Sequence, residues 1–162
     1  MSLKSIAHTG WRRLLKVRRR DDRQRLLEIL RLEYIEEMQN LLQLLRHAER
    51  MRYPQFRDRL LRIAGEEQAH AQWLRQRIIA LGGEVPRISF SPSIGKNSWE
   101  CLLMDLEEEK RCSADLEARI RSVERIDPEI AELLRRIREE EDKHSEDIMD
   151  MLMRSDPQAS LS

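Results

Sequence analysis

Aromatic residues are scarce in this 162-residue chain: two Phe, two Tyr and three Trp, 4% of the total. Sheets rely on aromatic and β-branched side chains for cross-strand packing, so this scarcity argues against a β protein. Glycine and proline number five each, too few to punctuate many short strands and enough to separate a few long helices. The only cysteines are Cys101 and Cys112; on one helix they stand roughly 16 Å apart at ~1.5 Å per residue, too far to bridge each other. No apolar run is long enough to span a bilayer, and the N-terminus lacks the apolar stretch of a secretory signal, so a reducing, cytoplasmic setting is expected. Net charge is also absent, with 30 Lys and Arg against 30 Asp and Glu, so no overall field selects an acidic or basic partner. Charge itself is abundant, 37% of residues, and the balance as a whole points to an all-α protein.

Breakers at Tyr53-Pro54, from Gly82-Gly83 to Asn97-Ser98, at Asp127-Pro128 and at Ser155-Asp156-Pro157 predict helices over about 22–52, 55–81, 99–125 and 128–154. The first and last connections are short enough only for antiparallel hairpins, whereas the middle one can cross the length of a bundle. The expected architecture is an antiparallel four-helix bundle with one long crossover over 22–154, preceded by a basic segment (1–21) and followed by a small polar tail (155–162).

Apolar residues at spacings of three and four draw a core seam on each helix. The seams run through Leu30, Tyr34, Leu41, Leu44 and Ala48; Phe56, Leu60, Ile63, Leu74 and Leu81; Leu102, Leu106, Leu116, Ile120 and Val123; and Ile130, Leu134, Ile137, Ile148 and Met151. Polar residues interrupt every seam at mid-length: Glu37, then Glu67 and His70, then Glu109, then Glu141 and His144. The halves echo each other, since Leu60, Ile63, Glu67, His70 and Leu74 share their spacing with Leu134, Ile137, Glu141, His144 and Ile148. Four glutamates aimed at one core level would each cost several kcal/mol unless cations neutralise them. Residues three apart share a helix face, so each Glu-x-x-His can offer a carboxylate and an imidazole to one ion. Glu37 and Glu109 add one carboxylate each, so two of the four glutamates could bridge two divalent ions while each ion also takes one histidine and a terminal carboxylate. Such a nitrogen and oxygen ligand set accepts iron or manganese.

These motifs resemble the ferritin-like superfamily, in particular the bacterioferritin and rubrerythrin branch, over residues 22–154. The stretches RHAERM, EEQAHAQWLRQRIIALGG and DLEEE carry the likeness. The resemblance implies two iron ions in a carboxylate-bridged pair, and either oxidation of Fe(II) by dioxygen or hydrogen peroxide or reduction of peroxide. It also implies a homo-oligomer, a dimer or larger. Glu37 lies a few residues closer to the first Glu-x-x-His than is usual, which keeps Glu33 and Glu36 as alternatives. Gln68 stands where bacterioferritin has its haem-ligating methionine, so no haem is expected. No Cys-x-x-Cys pair exists, so a peroxidase cycle would need an external electron donor.

Other residues read as structural. Cys112 imitates ligand spacing three residues after Glu109, but a buried thiol is the expected state. His47 and His8 are expected to be structural or solvated, Trp73 and Trp99 to pack near helix ends or a subunit contact, and Tyr34 is a candidate to orient ligands. Leu26, Ile79 and Leu103 lie outside the seams and suggest a subunit surface. The basic segment, with Lys4, Arg12, Arg13, Lys16, Arg18, Arg19, Arg20 and Trp11, supports an alternative in which a structural bundle carries a tail that contacts nucleic acid or an anionic membrane.

Overall fold

The structure, a computed structural model, describes residues 3–157, with side chains from Arg18 onward. His8, Trp11 and the cationic residues as far as Lys16, on which the reading of the basic segment rests, lie outside the described side chains. Four helices follow one another: α1 (Leu3–Arg50), α2 (Pro54–Ala80), α3 (Ser98–Val123) and α4 (Pro128–Arg154). No strand occurs among the described residues. α1 packs chiefly on α2 and α3 on α4, and the two hairpins meet along lighter α1/α3 and α2/α4 seams. Residues 81–97 form the long crossover, as the breakers predict. No helix among the described residues is long and apolar enough to cross a membrane.

The helix ends follow their local chemistry. Pro54 and Pro128 each occupy a first turn, where their missing N–H is not needed. The Asn97 side chain accepts from Glu100 N at 2.8 Å, and that of Asp127 from Glu129 N and Ile130 N, both at 3.1 Å. α2 stops at Gly82, whose φ of 68° suits glycine. There Gly82 N donates to Ile79 O at 2.8 Å and Gly83 N to Ile78 O at 2.9 Å, which satisfies the last carbonyls. α1 departs from expectation by starting at Leu3. No proline stands between Leu3 and Asp21, and the ~1 kcal/mol that Gly10 costs does not stop a helix.

The seam residues are buried except Tyr34 and Leu81, which are half-buried. Leu26 is a correction: it belongs to the core of the single chain at 5% exposure, whereas Ile79 stays half exposed. Leu103 is partly buried against the core.

The crossover is pinned from α1. Arg23 donates from Nε to Leu81 O at 2.7 Å and from Nη2 to Gly82 O at 3.0 Å; Arg31 Nε donates to Glu84 O at 3.1 Å. Gln43 clasps the Ser93 backbone, donating to its carbonyl at 2.6 Å and accepting from its N–H at 2.9 Å. His47, fully buried, faces the same carbonyl with Nε2 at 2.9 Å and Asp105 Oδ1 with Nδ1 at 2.7 Å. Both ring nitrogens meet acceptors, which favours an imidazolium that donates twice, although the Gln43 amide nitrogen also lies 2.5 Å from Nε2. Burial works against that charge, but Asp105 and Cys101 outweigh it and raise His47 to about 10. Burial pushes the Asp105 carboxyl up against the pull of His47; two acceptors around one ring make the ion pair the state of this contact.

A histidine raised above its unfolded value of 6.5 contributes stability that is complete below that value and is lost as pH rises through about 10. The stability difference between the native chain and His47→Gln should therefore shrink from about pH 7 to about pH 11 in urea titrations. A difference that stays constant over that range would refute the ion pair.

Candidate metal centre

The core is two apolar clusters. One gathers Leu41, Leu44, Leu60, Ile63, Leu102 and Ile148 among others, and the other Leu30, Leu74, Leu116, Leu134 and Ile137 with their neighbours. Between them lies a layer of Glu37, Glu67, His70, Glu109, Glu141 and His144, none more than 4% exposed. These are the six residues that interrupt the sequence seams, and the fold brings all of them together. Ligand atoms of Glu37, Glu67, His70 and Glu141 lie within 4.8 Å of one another, as do those of Glu67, Glu109, Glu141 and His144. Glu67 and Glu141 belong to both groups.

Each histidine turns Nδ1 inward. His70 Nδ1 lies 3.3 Å from Glu37, 3.5 Å from Glu67 and 3.6 Å from Glu141. His144 Nδ1 lies 3.0 Å from Glu67, 3.6 Å from Glu109 and 4.0 Å from Glu141. The rings stack with centroids 5.9 Å apart. Each Nε2 meets a carboxylate from the opposite helix: His70 with Glu140 at 2.8 Å, and His144 with Glu66 at 2.7 Å. Sequence reasoning missed these two glutamates. Their signal was the doubled acid before each motif, Glu66-Glu67 and Glu140-Glu141, which a single-helix reading cannot distinguish from solvated surface.

Electrostatics mark the layer as incomplete. Burial and then neighbouring carboxylates raise Glu37 and Glu109 well above the usual range, and burial with Glu67 raises Glu141. Burial would raise Glu67 too, but contacts with Glu37, His144 and His70 lower it. Against burial, Glu109 and Glu67 raise His144 to about 11, and Glu141, Glu37 and Glu67 raise His70 further. Both oxygens of Glu67 and of Glu141, Glu109 Oε2 and His144 Nδ1 are buried without an aligned hydrogen-bond partner among the described residues. Two protonated histidines offset only half of the charge of four carboxylates. Two divalent cations offset all of it, leave both imidazoles neutral as ligands and engage the orphaned atoms. The residues present fit such a pair.

The other candidates fall outside the layer. Arg119 of α3 pairs with both Glu33 and Glu36, and Arg111 lies 3.3 Å from Glu36; Glu37 is the α1 glutamate that joins the group. Burial, opposed by Arg119, raises Glu33 to about 7. Cys112 is buried against Asn40 Nδ2 at 3.6 Å, and burial pushes its thiol far up, away from the thiolate a metal needs. Tyr34 is half-buried against the apolar cluster, and Glu66 and Glu140 hold the histidines in its stead. Trp73 lies beside the layer rather than at a helix end: its ring centroid is 5.4 Å from that of His70, and Arg136 sits 4.2 Å over it.

The two halves are related by an approximate two-fold. The acid four residues before the seam glutamate of one helix pairs with the base ten residues after the seam glutamate of the other. Thus Glu33 meets Arg119, and Asp105 meets His47.

The family model described as the ferritin-like domain matches residues 24–155. Among solved structures the chain is similar to a mycobacterial bacterioferritin at 24% identity over 79% of this chain and 83% of that chain, TM-score 0.73. It is also similar to the Desulfovibrio desulfuricans bacterioferritin, described with its diiron site in different catalytic states, at 24% identity over 83% and 82%, TM-score 0.76. A third likeness is to Dps from Thermosynechococcus elongatus, 17% identical over 88% and 99%, TM-score 0.75. No curated protein matches the chain.

A carboxylate on the outer nitrogen fixes an imidazole's tautomer and raises its basicity, and its loss typically weakens metal binding about 10- to 100-fold. Glu66→Ala and Glu140→Ala should each weaken Co(II) binding by about that factor in titrations while the number of ions bound is kept. Unchanged affinity in both variants would show that these contacts do not support the histidines.

Proposed function

The chain belongs to the ferritin-like domain family, and from that premise we propose that it handles iron by holding two iron ions between its helices. Glu67 and Glu141, which belong to both groups, would be shared between the two ions, with Glu37 and His70 holding one and Glu109 and His144 the other. The observation that carries this reading is the sharing of Glu67 and Glu141 by two groups whose buried atoms otherwise have no partners. Manganese fits the same donors; iron is the reading because its redox couple suits an oxidase or peroxidase. When bound, the metal pair supplies electron transfer to dioxygen or hydrogen peroxide, either in oxidising Fe(II) or in reducing peroxide with an external electron donor.

The chain's own contribution is positional. Glu66 and Glu140 accept from Nε2–H of the two histidines, which aims both Nδ1 lone pairs at the centre. The apolar clusters above and below exclude bulk water and strengthen each charge interaction between them. On the α2/α4 side a groove of about 290 Å³ lined by Arg62, Glu66, Glu140, Lys143 and His144 reaches the layer, with Arg62 and Lys143 balancing its two glutamates. Exposed Leu32 and Leu45 on α1 supply apolar surface for a homo-oligomer.

Anaerobic titration should find about two Co(II) or Fe(II) per chain with a raised melting temperature, and both effects should vanish in Glu67→Ala and Glu141→Ala. Air should then produce the near-ultraviolet absorbance of an oxidised ferric pair. If neither ion binds and the melting temperature does not move, the acidic layer is structural and the alternative of a bundle carrying a basic tail takes over.

A further inference from the structure

The α1/α3 seam carries a second way in, on the opposite side from the α2/α4 groove. Beneath the crossover lies a cavity of about 170 Å³, walled by Gln39 and Asn40 of α1, Phe90 and Ser93 of the crossover, and Met104 and Glu108 of α3. Asn40, Gln43 and Glu108 also border an inner chamber of about 10 Å³ that reaches Leu44, Asp105 and Glu109. That is room for about one water-sized molecule. The outer space thus narrows to a single-molecule chamber whose far wall is a residue of the metal layer.

The chamber's chemistry selects what enters. Asp105 is 3% exposed; Oδ1 accepts from His47, and Oδ2 has no partner among the described residues. The two-fold counterpart differs: Arg119 reaches one oxygen of Glu33 and both of Glu36, and among the described residues neither glutamate keeps a buried oxygen without a partner. Glu109 also lines the chamber and joins it to the metal layer, where its Oε2 lies 3.6 Å from His144 Nδ1. A buried carboxylate oxygen calls for a hydrogen-bond donor. Dioxygen has no donor to give, and a hydrated divalent cation is too large for a chamber of this size. A small neutral molecule with O–H groups meets both conditions.

We propose that the α1/α3 seam is the entry path for hydrogen peroxide, and that the inner chamber binds one peroxide molecule by its O–H to Asp105 Oδ2 beside Glu109. This assignment rests on the metal-pair reading above and names the oxidant that reaches it. Asp105 is a binding residue here, and His47 positions it.

Asn40→Leu replaces a chamber-wall amide with an apolar group of similar size, and Met104→Trp obstructs the outer cavity from a half-buried position that tolerates bulk. Each should slow anaerobic oxidation of Fe(II)-loaded protein by hydrogen peroxide about tenfold or more, and slow it more than oxidation by dioxygen, with about two Co(II) still bound per chain. A crystal structure should show an ordered water within hydrogen-bond distance of Asp105 Oδ2, displaced in Asn40→Leu. Native peroxide rates in either folded variant, equal slowing with both oxidants, slowing matched by loss of Co(II), or no ordered molecule at Asp105 would each overturn the proposal. Failure of the native chain to bind Co(II) at all would instead remove the metal pair, and this path with it.

Discussion

Four carboxylates buried at one level of an apolar bundle repel one another and have lost most of their water, and the rest of the molecule is arranged around that constraint. An unpaired buried carboxylate costs several kcal/mol even after local relaxation. Glu37, Glu67, Glu109 and Glu141 therefore oppose folding unless their layer is neutralised, while the apolar clusters on either side supply the burial that holds the helices together. The two demands are separated in space. Packing above and below fixes the helices, and the layer between is free to hold atoms that a self-sufficient core would not leave unpaired.

The constraint also explains why the halves of the chain depend on each other. Each hairpin supplies one seam glutamate and one Glu-x-x-His, but Glu67 and Glu141 serve both groups. The outer nitrogen of each histidine is held by a glutamate of the other hairpin. The Glu33–Arg119 and Asp105–His47 pairs repeat the pattern on the other seam, each tying α1 to α3. Neither hairpin can complete its own part of the layer, so docking the hairpins and assembling the site are one event.

Much of this was legible in the sequence, and for a physical reason. A bundle core is one-dimensional along each helix, so a residue that breaks an apolar seam is visible from spacing alone, and all six layer residues broke a seam. What stayed hidden involves pairs of helices. Glu66 and Glu140 lie beside the seam, and only the angle between α2 and α4 decides that each reaches across to the other's histidine. His47 and Asp105 gave no sign in spacing, because their contact depends on the rotation of α1 against α3. Trp73 was misplaced for the same reason: periodicity gives its distance along the helix and not the Arg136 that covers it from α4. The start of α1 was missed because the basic segment lacks a seam, and a helix without a seam is set by propensity alone.

The approximate two-fold is broken where the two seams meet different chemistry. At the α2/α4 groove, Glu66 and Glu140 stand in equivalent positions, each holding the other helix's histidine, with Arg62 and Lys143 beside them. At the α1/α3 seam the symmetry fails at one exchange, arginine at one position and histidine at its mate. A guanidinium fork spans two carboxylates and, among the described residues, leaves neither Glu33 nor Glu36 with a buried oxygen lacking a partner, whereas an imidazole spends one nitrogen on Asp105 and the other on the crossover carbonyl. The same exchange that anchors the crossover therefore leaves a carboxylate oxygen open in the chamber beside Glu109. Symmetric hairpins would make the two ends of the α1/α3 seam equivalent. The difference between Arg119 and His47 is enough to make them unlike.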